Sequence, residues 1–117
     1  MNHKIIGSQA EAQCLKYLQA AGLTLIRSNF YSRFGEIDLI MQDKKDIVFV
    51  EVKMRFASYQ AAAFSVNVHK QKKMLLTAKY FILKHYKQEP SCRFDAVLLV
   101  KLNNQITWVK NVLVLGW

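Results

Sequence analysis

Two runs of strand-forming residues, Glu36 to Met41 and Ile47 to Met54, are separated only by the polar stretch Gln42, Asp43, Lys44, Lys45 and Asp46. A gap that short predicts an antiparallel hairpin. With the turn centred between Lys44 and Lys45, Asp43 falls opposite Asp46, Ile40 opposite Phe49, Asp38 opposite Glu51 and Glu36 opposite Lys53. Side chains alternate with a period of two, so the last three pairs share one face of the sheet. A slip of two residues preserves that shared face, whereas a slip of one sends Glu51 to the other side.

Opposed residues hold their Cβ atoms about 4.5–5.5 Å apart, so the Asp38 and Glu51 carboxylates repel unless a positive group joins them. A solvated face with cross-strand ion pairs is one reading of such a hairpin. The run IVFVEVKMRF favours another, because its apolar residues suggest a strand covered on both faces. A carboxylate there is costly without a partner. Mg²⁺ suits the pair, since it prefers hard oxygens and is commonly held by one or two carboxylates plus water and phosphate oxygens. Lys53 follows Glu51 by two positions, on the same face, where it could orient a water or meet phosphate charge.

The rest of the chain supplies cover for such a strand. Ala10, Cys14, Tyr17, Leu18 and Ala21 recur at helical spacing from Ser8 to Ala21, and Gly22 provides a stop. LTLIRSNFYSR reads as a short strand or extended connection. A second, longer helix spans Val68 to Tyr86, with Met74, Leu75, Ala78, Phe81 and Ile82 on one side. Pro90 breaks the chain before two more strands, Phe94 to Val100 and Ile106 to Leu115. The expected fold is a single α/β domain over residues 1–117, with a mixed central sheet of about five strands flanked by helices.

Within 117 residues, 17 Lys and Arg oppose 8 Asp and Glu, for a formal charge of +9. Such a surplus favours a polyanionic partner, nucleic acid or an acidic membrane surface, and does not choose between them. Cys14 and Cys92 form no CxxC and have no neighbouring histidine set, which argues against structural zinc and for reduced thiols. No apolar run reaches signal-peptide or membrane-spanning length, so a cytoplasmic, membrane-free protein is expected.

The spacing of Asp38 from Glu51-Val52-Lys53 resembles the D…ExK site of the PD-(D/E)xK nuclease superfamily. A fuller set carries a more specific resemblance: GxxAE at Gly7 to Glu11, Tyr17-Leu18, Gly22, Asn29, GEIDLI at Gly35 to Ile40, FVEVKMR at Phe49 to Arg55, Lys70, Ala78, and RFDAV at Arg93 to Val97. It is similar to the YraN-like family of small bacterial predicted endonucleases, themselves similar to archaeal Holliday-junction resolvases. Cys14 stands where that family often has alanine, a small-for-small change.

The resemblance implies a restriction-endonuclease-like three-layer fold, with Asp38 and Glu51 as ligands for Mg²⁺ or Mn²⁺ and Lys53 as the catalytic lysine. Glu11, on the first helix, matches a further acid that often joins this site as a ligand. Glu36 is a supporting residue that could pair with Lys53 or extend the acidic cluster. The implied reaction is metal-dependent hydrolysis of DNA phosphodiester bonds by an endonuclease, on branched or otherwise non-standard DNA. A non-catalytic nucleic-acid-binding module on the same fold is the alternative, and a basic scaffold protein a third class.

Lys70, Lys72 and Lys73 at the start of the second helix, with Arg33 and Arg55 near the hairpin, are the phosphate-contact candidates. Lys70 is foremost because it also matches a family position. Phe30, Tyr31 and Phe34 either stack on bases or pack into the core, with packing preferred. Asp95 is expected to be structural, paired with an arginine. His3 reads as a tail residue, His85 as helix packing and His69 as at best a phosphate contact. WVKNVLVLGW suits an edge strand or an oligomer contact, and a homodimer is among the oligomeric states left open.

Overall fold

The computed structural model describes residues 3–57 and 68–112, with side chains in the first helix described from residue 8 onward. Its elements run α1 (His3–Ala20), β1 (Thr24–Ser32), β2 (Gly35–Asp43), β3 (Asp46–Arg55), α2 (Val68–His85), β4 (Cys92–Val100) and β5 (Gln105–Val109). This is the expected order of helix, three strands, helix and two strands. Helix α1 starts five residues before Ser8, and LTLIRSNFYSR contains a full nine-residue strand. The expected last strand is shorter, ending at Val109. Residues 113–115, the end of that expected strand, and the small-residue stretch Ala61 to Ala63 lie outside the described residues.

The five strands form one sheet in the order β1-β2-β3-β4-β5. Strand β3 pairs antiparallel with β2 and parallel with β4, which makes the sheet mixed. The parallel pair is connected through α2, as a parallel crossover requires. Strand β3 is therefore internal to the sheet, and its run from Ile47 to Val50 is buried on both faces.

Helix α1 packs Ala10, Cys14 and Leu18 against Leu39, Met41, Val48, Val50, Val97 and Leu99. On the opposite face, α2 packs Met74, Ala78, Phe81 and Ile82 against Phe30, Ile37, Ile40, Ile47, Phe49 and Phe94. Phe81 meets the Phe30 ring edge-on at 5.2 Å, and Phe49 stacks on Phe94 at 5.2 Å. Each buried aromatic of this kind contributes about 1.5–3 kcal/mol through removal of its surface from water. Of the expected inward positions, Tyr17 on α1 and Ala21 just after it are exposed, and Leu75 on α2 is half-buried.

Helix α1 ends where glycine allows. Gly22 has φ +105°, the Leu23 N–H donates to the Leu18 carbonyl at 3.1 Å, and the Gly22 N–H donates to the Gln19 carbonyl at 3.0 Å. This double closure satisfies carbonyls that the helix leaves without partners. The β1–β2 turn is tied to α2 in turn: the Ser32 hydroxyl lies 3.3 Å from that of Thr77, which donates to the Lys73 carbonyl at 2.8 Å. Thr77 is wholly buried, a polar position that the apolar pattern of α2 does not reveal.

Candidate active site

The hairpin register is the expected one, with Asp43 opposite Asp46 and Ile40 opposite Phe49. The ladder stops at Leu39 and Val50. Beyond that point β2 continues against β1, with Tyr31 opposite Glu36, while β3 continues against β4, with Glu51 opposite Ala96. Asp38 and Glu51, and likewise Glu36 and Lys53, are thus not ladder pairs as the extended register would have them. The two strands diverge just before reaching them.

Asp38 bridges the gap where they separate. Its Oδ2 accepts the backbone N–H of Val52 at 2.8 Å, in place of a bond that β2 backbone would otherwise make. Alternation also slips here, since Ile37 and Ile40, three residues apart, both join the α2-side core. On β3 the alternation holds: Phe49 faces α2, Val50 and Val52 pack toward α1, and Glu51 and Lys53 therefore face α2.

Two clefts meet at this junction. The α2-side cleft, with a cavity of about 90 Å³, is lined by Glu36, Asp38, Glu51, Lys70, Phe49 and Phe94 among others. The α1-side cleft, about 330 Å³, is lined by Glu11, Asn29, Tyr31, Glu36, Asp38 and Met54 among others. Glu36 and Asp38 line both.

Charge is concentrated and only partly matched. Glu51 has a side chain 11% exposed; its Oε1 meets the Lys70 ammonium and lies 3.8 Å from Lys53 Nζ. Its Oε2 is buried with no hydrogen-bond partner among the described residues. Asp38 has its pKa raised, mainly by burial and further by Glu51 and Glu36, against the opposing pull of the Val52 N–H and Lys70. Glu11 is pushed up to about 7 by burial, then by the charges of Asp38 and Glu36, and it shares hydrogen bonds with Asp38 and Asn29. The Tyr31 hydroxyl is likewise raised, first by the charge of Glu36. Cys14, behind the site, is pushed to about 12 by burial and by Asp38 and Glu11, so its thiol stays protonated.

The sequence-derived site residues therefore fall into groups. Glu11, Glu36, Asp38, Glu51, Lys53 and Lys70 come together around the junction. Glu36 extends the acidic cluster, and the lysine beside Glu51 on the strand, Lys53, pairs with Glu51. Arg33 lies over the Phe34 ring at 4.9 Å on the β1–β2 turn, and a β-carbon at Gly35 would lie 3.7 Å from Lys73 Cβ, which brings the turn beside α2. Lys72 and Lys73 are exposed on α2, and Arg55 is exposed at the end of β3, bonded to its own neighbour's carbonyl. Phe30 packs in the core, Tyr31 is exposed, His69 is exposed, and His85 lies against the Phe81 ring at 4.5 Å.

Asn29 enters the site without a role that its residue type foretold. Its φ of +51° lies in the left-handed region that asparagine tolerates better than most residues. In β1 it stands between Ser28, opposite Leu39, and Phe30, opposite Ile37, which places it beside Asp38. Its place in the family resemblance was the sequence signal for it, and the pairing of β1 with the acidic strand gives the physical reason.

At the other end of the hairpin, Arg93 resolves a second acidic cluster. It donates to Asp43 at 2.9 Å, to Asp46 at 3.3 Å and to the fully buried Asp95 at 3.1 Å. Trp108 Nε1 and the Asn111 N–H also donate to Asp95, at 2.9 and 3.0 Å. Burial opposes the charged guanidinium, yet its bonds to Asp95 and Asp43 prevail and raise its pKa. Asp95 is therefore the structural, arginine-paired residue expected. The contrast with Glu51 is in hydrogen bonding: each carboxylate of this cluster accepts from Arg93, whereas Glu51 Oε2 has no hydrogen-bond partner among the described residues.

The donors at the junction suit a hard divalent cation, being carboxylates with one buried oxygen that lacks a partner among the described residues. Among the described residues, however, no three His, Cys, Asp or Glu side chains are grouped closely enough to hold an ion by themselves.

The family model for Uncharacterised protein family UPF0102 matches residues 10–99, a span containing every residue of this junction. The chain belongs to UPF0102. A UPF0102 protein of Psychromonas ingrahamii is 46% identical over 106 residues, covering 90% of this chain and 86% of that protein. One from Methylobacillus flagellatus is 44% identical over 110 residues, covering 92% and 96%. One from Dichelobacter nodosus is 41% identical over 116 residues, covering 97% and 92%. The match thus runs along most of each of these proteins.

Proposed function

We propose that this UPF0102 protein is a metal-dependent endonuclease of the PD-(D/E)xK type, hydrolysing phosphodiester bonds in DNA. The observation that carries the reading is Glu51. It is a nearly buried carboxylate with one oxygen unpartnered among the described residues, set beside Asp38 and 3.8 Å from Lys53 in a chain of net charge +9. An acidic pocket within a basic chain fits a site that collects a cation and then a polyanion.

Asp38 and Glu51 would hold Mg²⁺ or Mn²⁺, and Glu11, on α1 beside Asp38, would have to close up on them to join the set. Waters and substrate phosphate oxygens would complete the coordination, as is usual when a protein offers few carboxylates. Such an ion supplies charge neutralisation and a water of lowered pKa. The chain's own residues do the remaining work. The Val52 N–H orients Asp38, Lys53 would position the attacking water or offset charge developing on the phosphate, and Glu36 would keep the mouth negative. Lys70, Lys72, Lys73, Arg33 and Arg55 supply phosphate contacts at the rim.

A preference for branched DNA rests on the resemblance to resolvases alone. Purified protein incubated with linear, nicked, single-stranded and four-way-junction DNA in Mg²⁺ or Mn²⁺ tests the reading, alongside Asp38→Ala and Lys53→Ala. Cleavage abolished by both substitutions supports it, and cleavage surviving both rejects this site. Binding without cleavage on every substrate would instead favour the nucleic-acid-binding module.

A further inference from the structure

Glu51 has an uneven set of partners. Both nearby ammonium groups, Lys70 and Lys53, approach Oε1, while the buried Oε2 has no hydrogen-bond partner among the described residues. The two lysines also differ. Lys53 is on the same strand two residues away, with a side chain only 14% exposed, and its backbone is held in the β3–β4 ladder opposite Leu98. Lys70 comes from the first turn of α2, 19 residues along the chain, and its side chain is 48% exposed. One cation is built into the wall of the site; the other reaches in from solvent on a flexible stem.

We propose that Lys70 is a resident counter-ion for Glu51, which a divalent cation displaces when it binds at Asp38 and Glu51. The inference rests on the cation-binding reading above and adds a positioning role for Lys70. Without the ion, Glu51 is a nearly buried carboxylate whose charge must be answered, and Lys70 answers it at little cost because its side chain stays about half exposed. With the ion bound, the Lys70 ammonium would be a like charge at the same oxygen and moves outward to the rim. There it lies on the helix turn that carries Lys72 and Lys73, ready for a phosphate. The same side chain would thus stabilise the empty site and be released toward substrate only after the site is loaded.

Cation binding without DNA provides the test. Mn²⁺ titrations of the full chain, followed by calorimetry and by thermal unfolding, are compared for wild type, Lys70→Gln and Lys79→Gln. Lys79 is an exposed lysine on the same helix and controls for overall charge. Lys70→Gln is expected to lower the metal-free Tm and to bind Mn²⁺ roughly five- to ten-fold more tightly, the scale of removing one partly screened charge from a binding site. Its Tm should meet that of wild type at saturating Mn²⁺, because the ion has then replaced the lost partner in both. Lys70→Arg should restore the metal-free Tm. Equal Mn²⁺ affinity in wild type and Lys70→Gln, or the same gain in Lys79→Gln, would overturn the inference while leaving the cation site standing. Absence of Mn²⁺ binding in every variant would overturn both.

Discussion

The Val52 backbone N–H donates to Asp38 Oδ2 at 2.8 Å, at the point where β2 and β3 cease to pair. A side chain thereby does what a strand backbone did one residue earlier, and it fixes Asp38 beside Glu51. Asp38→Asn can keep that acceptor through its amide oxygen while removing a charge that burial, Glu51 and Glu36 all disfavour. We expect the metal-free protein to be as stable as wild type or slightly more so, while stabilisation by Mn²⁺ is lost. Asp38→Ala removes the acceptor too and should cost about 1–3 kcal/mol, the penalty for an unsatisfied buried donor. Urea unfolding with and without Mn²⁺ separates the two.

Glu11 makes the metal-free fold pH-dependent. Its folded pKa, about 7, lies above the ordinary value of 4.5. The protonated form is thus favoured in the folded state, and the resulting stability is complete below pH 4.5 and lost as pH rises toward about 7. Because the group is partly solvated, the effect should be limited to about 1 kcal/mol. Glu11→Gln should flatten the stability profile across that window. A wild-type profile without a decline there would contradict the assignment.

Arg93 is the counter-example to Glu51, a buried charge with every partner supplied by the chain. Arg93→Met leaves Asp95 buried without its guanidinium and Asp43 facing Asp46 with nothing between them. Breaking a buried network from one side costs about 3–5 kcal/mol. Denaturant unfolding should show that loss, and any folded fraction should still bind Mn²⁺, since the clamp is at the opposite end of the hairpin from Glu51.

Gly35 has φ +149° and sits against α2, where an added β-carbon would lie 3.6 Å from the Thr77 hydroxyl. A backbone conformation that side chains rarely adopt should make Gly35→Ala cost about 1–3 kcal/mol. Thermal unfolding measures the cost, and a change below a few tenths would mean that the turn relaxes freely.

The Gln42–Lys45 region shows how much of the fold and site was legible. Short spacing between two strand-forming runs determined the hairpin, its register from Asp43–Asp46 to Leu39–Val50, and that Glu51 and Lys53 share one face, though not which helix covers it. Helical spacing likewise determined that Met74, Ala78, Phe81 and Ile82 face inward. These are local properties, set by periods of 2 and 3.6 residues.

What only the tertiary structure decided lies beyond those periods. The ladder ends at Leu39 and Val50, where Asp38 Oδ2 takes the Val52 N–H, an exchange of side chain for backbone that neither strand's own pattern encodes. Lys70 reaches Glu51 from 19 residues away, and Arg93 reaches Asp43 from 50 residues away. Both contacts depend on α2 crossing one face of the sheet to bring β4 beside β3. The sequence by itself determined which acids could be placed in the strands. The fold decided which of them are fully hydrogen-bonded within the chain and which keep a buried oxygen without a partner among the described residues, because burial and partner distance are set only when distant segments pack.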